Sequence, residues 1–153
     1  MHNLDETDLR ILRALQSDGS LTTQEVAERA GISQSPCSRR IIQMQRAGVI
    51  MGKTIELDRR KLGFDLVVDA RVKLKNHDRA SLEALKDAVR VIPEIQMAAL
   101  VLGEYDFRLR LVARDIEHYQ TIVQEKLAML PGVQEIQSSV ILEVVKNTSA
   151  LPL

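Results

Sequence analysis

The second half of the chain contains two copies of one pattern, and this repetition limits the possible folds more than any other feature. Each copy has a half-buried strand, a helix that begins at an aspartate, and a second strand that follows a proline. The helices begin at Asp78 and Asp115, and Ile92–Gln96 and Leu130–Gln134 align at the same point of each copy. A duplicated unit of this order is typical of the ferredoxin-like βαββαβ arrangement. We therefore predict an α+β fold for this half.

The predicted strands of this half also indicate a partner. They cover residues around Ala70–Leu74, Ile95–Leu102, Phe107–Ala113 and Val133–Val145. The helices of such a fold cover one face of the sheet, and the fourth strand carries apolar residues on both of its sides. We therefore expect a homodimer that buries the second face.

The first half of the chain predicts three short helices. An apolar stripe that ends near Gln16 indicates the first, and a capping box of Thr22 and Glu25 begins the second. Helices this short must share one core. The turn Ala30–Ser33 before the third helix gives the helix-turn-helix pattern, which many small helical bundles also contain.

The third predicted helix has an apolar and a polar face. At about 100° per residue, Cys37, Ile41 and Met44 point together toward the core, where Cys37 is a small buried hydrophobe. The opposite face carries groups that pair with base edges and phosphates of duplex DNA, and Ile42 can touch a thymine methyl. Arg40 lies between the faces, and its partner is either an acid of the first two helices or DNA. The predicted DNA-binding residues are Gln34, Ser35, Ser38, Arg39, Gln43, Arg46 and Lys53.

The segment after the third helix is predicted to be a wing. Val49–Leu57 has strand character around a turn at Gly52, and Lys53 near the tip can reach a phosphate. Ser33–Gly63 carries seven basic and two acidic side chains, although the whole chain has no net charge. This pattern indicates either contact with a polyanion or an unevenly charged, solvated surface. We predict a winged helix-turn-helix domain over 1–58, a linker over 59–64 and a ferredoxin-like domain over 65–153.

The composition excludes several classes of protein. Cys37 is the single cysteine, so it forms no internal disulfide, and the three histidines lie far apart in the sequence. No apolar run is long enough to span a bilayer, and the first residues lack the pattern of a signal peptide, so we expect a cytoplasmic protein. The sequence contains no nucleophile–base pair, metal cluster or phosphate loop. We therefore expect no enzyme, no metal and no cofactor.

The order and spacing of several segments resemble the Lrp/AsnC family, also called feast/famine regulators, over nearly the whole chain. Met44 and Gln45 stand where the family usually has leucine and glutamate, a change that keeps the core apolar. The segments that carry the resemblance are Leu4–Gln16, Val26–Ser33, Ser35–Ile41, Ala47–Ile50, Gly103–Asp106 and Val144–Leu153.

The resemblance implies a sequence-specific transcription regulator. Members of the family bind double-stranded DNA as dimers, commonly assembled into octamers, and respond to an amino acid or a related metabolite. The resemblance also implies an effector site between subunits, where Asp106 pairs with an amino group and backbone N–H groups around Gly103 and Tyr105 hold a carboxylate. The alternative for this turn is a hairpin with exposed acids. The implied effector-binding residues are Gly103, Glu104, Tyr105, Asp106 and Ser138.

Two other functions compete with this interpretation. One is an enzyme on the ferredoxin-like domain, for which the polar set Glu104, Tyr105 and Asp106 suits binding better than turnover. The other is a metabolite-binding adaptor whose helical domain docks a protein. A weak salt dependence and no binding to genomic fragments would favour the adaptor.

Overall fold

A computed structural model describes residues 4–153, and the contacts divide the chain into two units. The first unit runs to Glu56 and includes Lys146–Leu153, and the second comprises Leu57–Val145. Residues 146–153, which the sequence predicts to belong to the second domain, have their contacts with the first unit. The helices and strands are α1 (Glu6–Ser17), α2 (Thr23–Ala30), α3 (Gln34–Arg46), β1 (Leu66–Leu74), α4 (Arg79–Arg90), β2 (Ile95–Leu100), β3 (Phe107–Ala113), α5 (Ile116–Ile122) and β4 (Val133–Val140).

The first unit is a bundle of α1, α2 and α3, and side chains cap the first two helices. Asp5 and Asp8 form a capping box at α1, and Thr22 and Glu25 form the predicted box at α2. Each box satisfies two N–H groups that the first turn of a helix leaves without partners. Gly31 ends α2 with φ at 69°, a conformation that glycine adopts without strain. The N–H of Ile32 donates to the carbonyl of Ala27 at 3.0 Å, and this bond and Gly31 form the turn that leads into α3.

The three helices bury one apolar core, as their shortness requires. Cys37 and Met44 are completely buried and Ile41 packs beside them, which confirms the predicted core face of α3. Burial also raises the pKa of the Cys37 thiol, so this side chain stays neutral. The buried residues of this core are Ile11, Leu12, Ala14, Leu21, Val26, Ala27, Ala30, Cys37 and Met44.

The strands predicted for the wing are not formed. Residues 51–58 have no regular secondary structure, so the prediction of a hairpin around Gly52 was wrong. Every residue of this segment is exposed, Met51 and Ile55 to 96% and 82%, so neither side of it packs on the core. A two-stranded hairpin without a packed face has little to stabilise it in water. Lys53 therefore lies on an irregular, exposed segment.

The second unit is a four-stranded sheet in the order β2-β3-β1-β4, with α4 and α5 on one face. β1 lies in the middle and pairs antiparallel with both β3 and β4. Asp78 and Asp115 cap the two helices as predicted. After α5 the chain continues through a π-helical turn over Val123–Leu127. The ferredoxin-like fold predicted from the sequence repeat is therefore confirmed.

Two strands are shorter than predicted. β2 ends at Leu100 rather than at residue 102. The N–H of Val101 still donates to the carbonyl of Asp106, but the N–H of Asp106 donates to Val72 and returns no bond to Val101. β4 ends at Val140 rather than at residue 145. Val140 lies opposite Val68, and β1 begins only two residues earlier, at Leu66, so residues after 142 would find no strand residue to pair with.

The sheet face opposite the helices is charged. Arg108 donates to both carboxylate oxygens of Asp69, at 2.6 to 3.0 Å, and Arg71 lies 5.9 Å from the centre of the Tyr105 ring. Arg110 pairs in register with Asp69, and its buried Nε has no hydrogen-bond partner within residues 4–153. This face is therefore polar, and Arg108 and Asp69 form an ion pair on it.

Candidate nucleic-acid interface and loop site

The polar face of α3 forms one open groove. Six of the seven predicted DNA-binding residues line it, and Ile42 lies among them as expected. Lys53 does not reach this groove but lines a neighbouring cleft that shares Ser38 and Ile42 with it. The residues that line the groove are Gln34, Ser35, Ser38, Arg39, Ile42, Gln43 and Arg46.

The positive charges of this groove are not neutralised by nearby acids. Arg39 and Arg46 are exposed, and neither forms an ion pair within residues 4–153. α3 itself carries no acidic side chain. Unpaired guanidinium groups on an exposed helix can each donate several hydrogen bonds to a phosphate or to a guanine edge. The groove therefore has the chemistry that a polyanion requires.

Arg40, whose partner the sequence leaves open, turns away from this groove. Its Nη1 donates to Asp5 at 2.7 Å and to Asp8 at 2.9 Å, at the start of α1. The backbone N–H of Asp8 and then the Arg40 guanidinium lower the pKa of Asp5. Hydrogen bonds to the carboxylates of Asp8 and Asp5 raise the pKa of Arg40 in return. Arg40 therefore pairs with acids of the first helix.

Asp106, the main residue of the implied effector site, binds groups of its own chain. One carboxylate oxygen accepts from the N–H of Leu74 at 2.8 Å, and the other lies 2.9 Å from Nε2 of His77. The N–H of Asp106 donates to the carbonyl of Val72 at 2.9 Å. The loop is thus fixed to the end of β1. Sequence reasoning missed His77, which carries no recognisable motif.

The other implied effector residues fall into two places. Gly103 and Glu104 are exposed beside Asp106, and Tyr105 is half-buried next to Arg71. Ser138 lies on β4 opposite Ala70, and its hydroxyl is 2.5 Å from the hydroxyl of Tyr119. No hydrogen bond joins Ser138 to the loop in the described part of the chain. The fold therefore brings Gly103–Asp106 together and gives Ser138 a separate partner.

Two further findings bear on the class of protein. Within residues 4–153, no set of three or more histidine, cysteine, aspartate or glutamate side chains is arranged to hold a metal ion. No helix in the same range has both the length and the apolar character needed to cross a bilayer.

The first unit is a helix-turn-helix whose third helix carries arginines that have no acid partner within residues 4–153, and the second unit is ferredoxin-like. This combination defines a helix-turn-helix DNA-binding protein with a second, α+β domain. The family model described as winged helix-turn-helix DNA-binding matches residues 4–51, and the Lrp/AsnC ligand binding domain matches residues 68–151. The chain belongs to the Lrp/AsnC family of transcriptional regulators.

Known proteins of this family match the chain over nearly its whole length. The leucine-responsive regulatory protein of Rhizobium meliloti is 39% identical over 94% of this chain and 92% of its own. The proline dehydrogenase transcriptional activator of Rhizobium radiobacter is 34% identical over 95% and 94%. A transcriptional regulator from Neisseria meningitidis, solved in complex with L-methionine, superimposes with a TM-score of 0.93 at 33% identity, covering 98% and 97%. The predicted family and fold class are therefore confirmed.

Proposed function

We propose that this regulator binds its DNA site through the groove on α3. Lys53, which lies outside this groove, contacts a phosphate of the DNA. The observation that carries this proposal is the set of unpaired Arg39 and Arg46 guanidinium groups beside short hydroxyls on one exposed helix face. Ser35 near the start of α3 suits a phosphate contact, and the Arg39 guanidinium suits both phosphates and base edges in the major groove. The contact is therefore both electrostatic and directional.

The experiment that tests this proposal is selection of bound genomic fragments by the full chain, followed by titration of a recovered duplex at several salt concentrations. We expect the logarithm of the binding constant to fall linearly with the logarithm of salt, because neutralised phosphates release counterions. A recovered site with two-fold symmetry would support two copies of α3 on one duplex. Failure to recover any fragment, or salt-independent binding, would refute the proposal and favour the adaptor.

We further propose that the second unit binds an α-amino acid at the Gly103–Asp106 loop. The match to a ligand binding domain and the relative solved with L-methionine support a ligand of this class. An amino acid presents one cation and one anion, which suits the Asp106 carboxylate and backbone N–H groups near Gly103 and Tyr105. Glu104 and Ser138 are the remaining candidate contacts. Since Asp106 already binds Leu74 and His77, the ligand must share or displace one of these bonds.

Two variants of Asp106 separate the role in ligand binding from the role in the fold. Asp106→Asn keeps an oxygen that can accept from Leu74, whereas Asp106→Ala removes both acceptors. We expect the selected fragments to change when pooled amino acids are added to the unchanged protein, and we expect Asp106→Asn to lose this response. A folded Asp106→Asn protein that still responds normally would remove Asp106 from the effector site.

We propose that the chain acts as a homodimer that assembles to an octamer, in the cytoplasm and without catalytic turnover. The sheet face opposite the helices, with the buried and unpartnered Nε of Arg110, supports a protein partner on this face. Light scattering coupled to size-exclusion chromatography tests the assembly. A monomer at micromolar concentration would contradict the dimer, and a stable dimer would contradict the octamer.

A further inference from the structure

The capping box of α1 uses only half of its carboxylate oxygens within itself. Asp8 Oδ2 accepts from the N–H of Asp5 at 3.1 Å, and Asp5 Oδ1 accepts from the N–H of Asp8 at 2.8 Å. The two remaining oxygens both accept from Nη1 of Arg40, at 2.7 and 2.9 Å. All four carboxylate oxygens therefore have a partner, and one atom of α3 supplies two of these contacts.

The position of Arg40 on α3 separates it from the groove. Neighbouring helix residues point about 100° apart, so Arg39 faces the groove while Arg40 faces α1. Asp8 is 5% exposed, and it is the single buried charged residue within residues 4–153. A carboxylate this buried requires a charged partner, because leaving it unpaired would be costly. The contact between Asp8 and Arg40 therefore fixes the relation between the two helices.

Within residues 4–153, Arg40 is the one side chain of α3 that forms hydrogen bonds to another helix. Ser33 occupies its N-cap position without forming a side-chain cap hydrogen bond. Cys37 and Met44 hold the helix to the core through apolar contacts, which are non-directional. The Arg40 contact is thus the polar feature that defines which way the groove faces.

We propose that Arg40 is a positioning residue for DNA binding: it ties α3 to the capping box of α1 and so sets the angle at which Arg39 and Arg46 meet the duplex. This inference rests on the proposed use of the α3 groove. Arg40 itself contacts no phosphate. It restricts the orientation of α3 before DNA binds, which lowers the conformational entropy that α3 loses on binding.

The test compares Arg40→Ala with Arg39→Ala in the full chain, on one duplex recovered with the unchanged protein. We expect Arg40→Ala to weaken binding about fivefold to twentyfold, the size of effect typical of a coupled polar network. The slope of the logarithm of binding against the logarithm of salt should stay that of the unchanged protein. Arg39→Ala should instead weaken binding and lower the slope by about one, as expected for a lost ionic contact.

Asp8→Asn supplies the second arm, because it weakens the same contact from the α1 side and lies outside the groove. Its loss of affinity should be smaller than that of Arg40→Ala, because Asp5 still accepts from Arg40, and the double variant should be no weaker than Arg40→Ala alone. Arg40→Lys keeps the positive charge and should recover part of the affinity. If Arg40→Ala fails to fold by circular dichroism, Arg40→Lys and Asp8→Asn give the same comparison.

The outcomes separate this inference from the proposal on which it rests. If the unchanged protein recovers no DNA, the use of the α3 groove fails. If Arg39→Ala weakens binding and Arg40→Ala does not, only the positioning role fails. A salt slope that falls as much for Arg40→Ala as for Arg39→Ala would show that Arg40 contacts phosphate directly and would also overturn the inference.

Discussion

Charged side chains serve opposite purposes on α3 and in the second unit. On α3, Arg39 and Arg46 are exposed and have no acid partner within residues 4–153. In the second unit, Arg108 donates three hydrogen bonds to Asp69. Both carboxylate oxygens of Asp106 contact groups of its own chain. The first arrangement leaves charge available to a partner, whereas the second uses charge to hold strands and loops together.

This contrast shows why total charge is a poor guide to function in this chain. The chain has a net charge of zero, yet one helix presents guanidinium groups that nothing nearby neutralises. A polyanion is attracted by the local field of such a helix and not by the average over the molecule. Substitutions of the groove arginines Arg39 and Arg46 should therefore change DNA binding and leave stability nearly unaffected. Substitutions of the paired charges in the second unit should change stability and leave the affinity for DNA nearly unaffected.

The largest effect is expected from Arg39→Ala combined with Arg46→Ala. Each arginine that reads a base contributes about 1–3 kcal/mol to binding, so the pair should weaken binding to a selected duplex by about 2–6 kcal/mol if the effects add. The midpoint of urea unfolding should change little, since exposed side chains without partners contribute within about 0.5 kcal/mol. Titration of the duplex and urea denaturation, followed by circular dichroism, measure the two quantities.

Arg90→Ala provides a matched control for this double variant. Arg90 is also an exposed arginine near a helix end, but it pairs with Asp87 on α4. Its removal should leave the affinity for DNA unchanged. An equal loss of affinity in both proteins would mean that the effect comes from overall charge and not from the groove.

A smaller effect, measured here on the stability of the protein, is expected from Asp106→Ala. Leu74 is 1% exposed, and its N–H would lose its acceptor in this variant. A buried donor without a partner costs about 1–3 kcal/mol, so the free energy of unfolding should fall by this amount. Asp106→Asn should fall less, because its side-chain oxygen can still accept. Equal losses for the two variants in urea denaturation would contradict this account.

The sequence predicts those parts of the molecule that depend on periodicity and on local capping. Thr22 with Glu25, the capping aspartates of the second unit and the buried Cys37 and Met44 all follow from spacing along one element. The duplicated strand–helix–strand pattern likewise predicts the ferredoxin-like unit. In each of these cases the relevant contacts lie within a few residues or follow from which face of an element is apolar.

The features that the sequence does not predict depend on contacts between distant residues. Arg40 meets Asp5 and Asp8 across more than thirty positions, and no pattern within α3 selects this partner over DNA. His77 likewise contacts Asp106, a residue distant from it in the sequence. The hairpin around Gly52 was predicted from strand character, but strand character requires a surface to pack against, and the structure supplies none. The sequence therefore defined the α3 groove better than the loop site.

A still smaller effect is expected from Arg108→Ala. The bidentate contact with Asp69 has good geometry, but the Arg108 side chain is 49% exposed, so solvent screens the pair. The free energy of unfolding should fall by less than about 1 kcal/mol. Binding to DNA should keep both its affinity and its salt slope. A lower slope in this variant would place Arg108 against phosphate and would break the contrast between the two regions.

The smallest effect is expected from a contact within the first unit that lies outside the proposed DNA-binding groove. The side-chain amide of Gln16 on α1 donates to the carbonyl of Leu151 at 3.3 Å and accepts from its N–H at 2.7 Å, and Arg13 donates to the carbonyl of Leu153 at 3.0 Å. These bonds are exposed to water, so Gln16→Ala should lower the free energy of unfolding by about 0.5 kcal/mol.

Amide hydrogen exchange tests the same contact by region, since it reports local opening. Removal of residues 146–153 should increase exchange on α1, because Leu151 and Leu153 hydrogen-bond to side chains of this helix. Exchange on β1 and β3 should stay unchanged, because their ladder lies wholly within the second unit. If the strands exchange faster and α1 does not, the segment stabilises the second unit instead, and the domain boundary drawn from the sequence would be the better description.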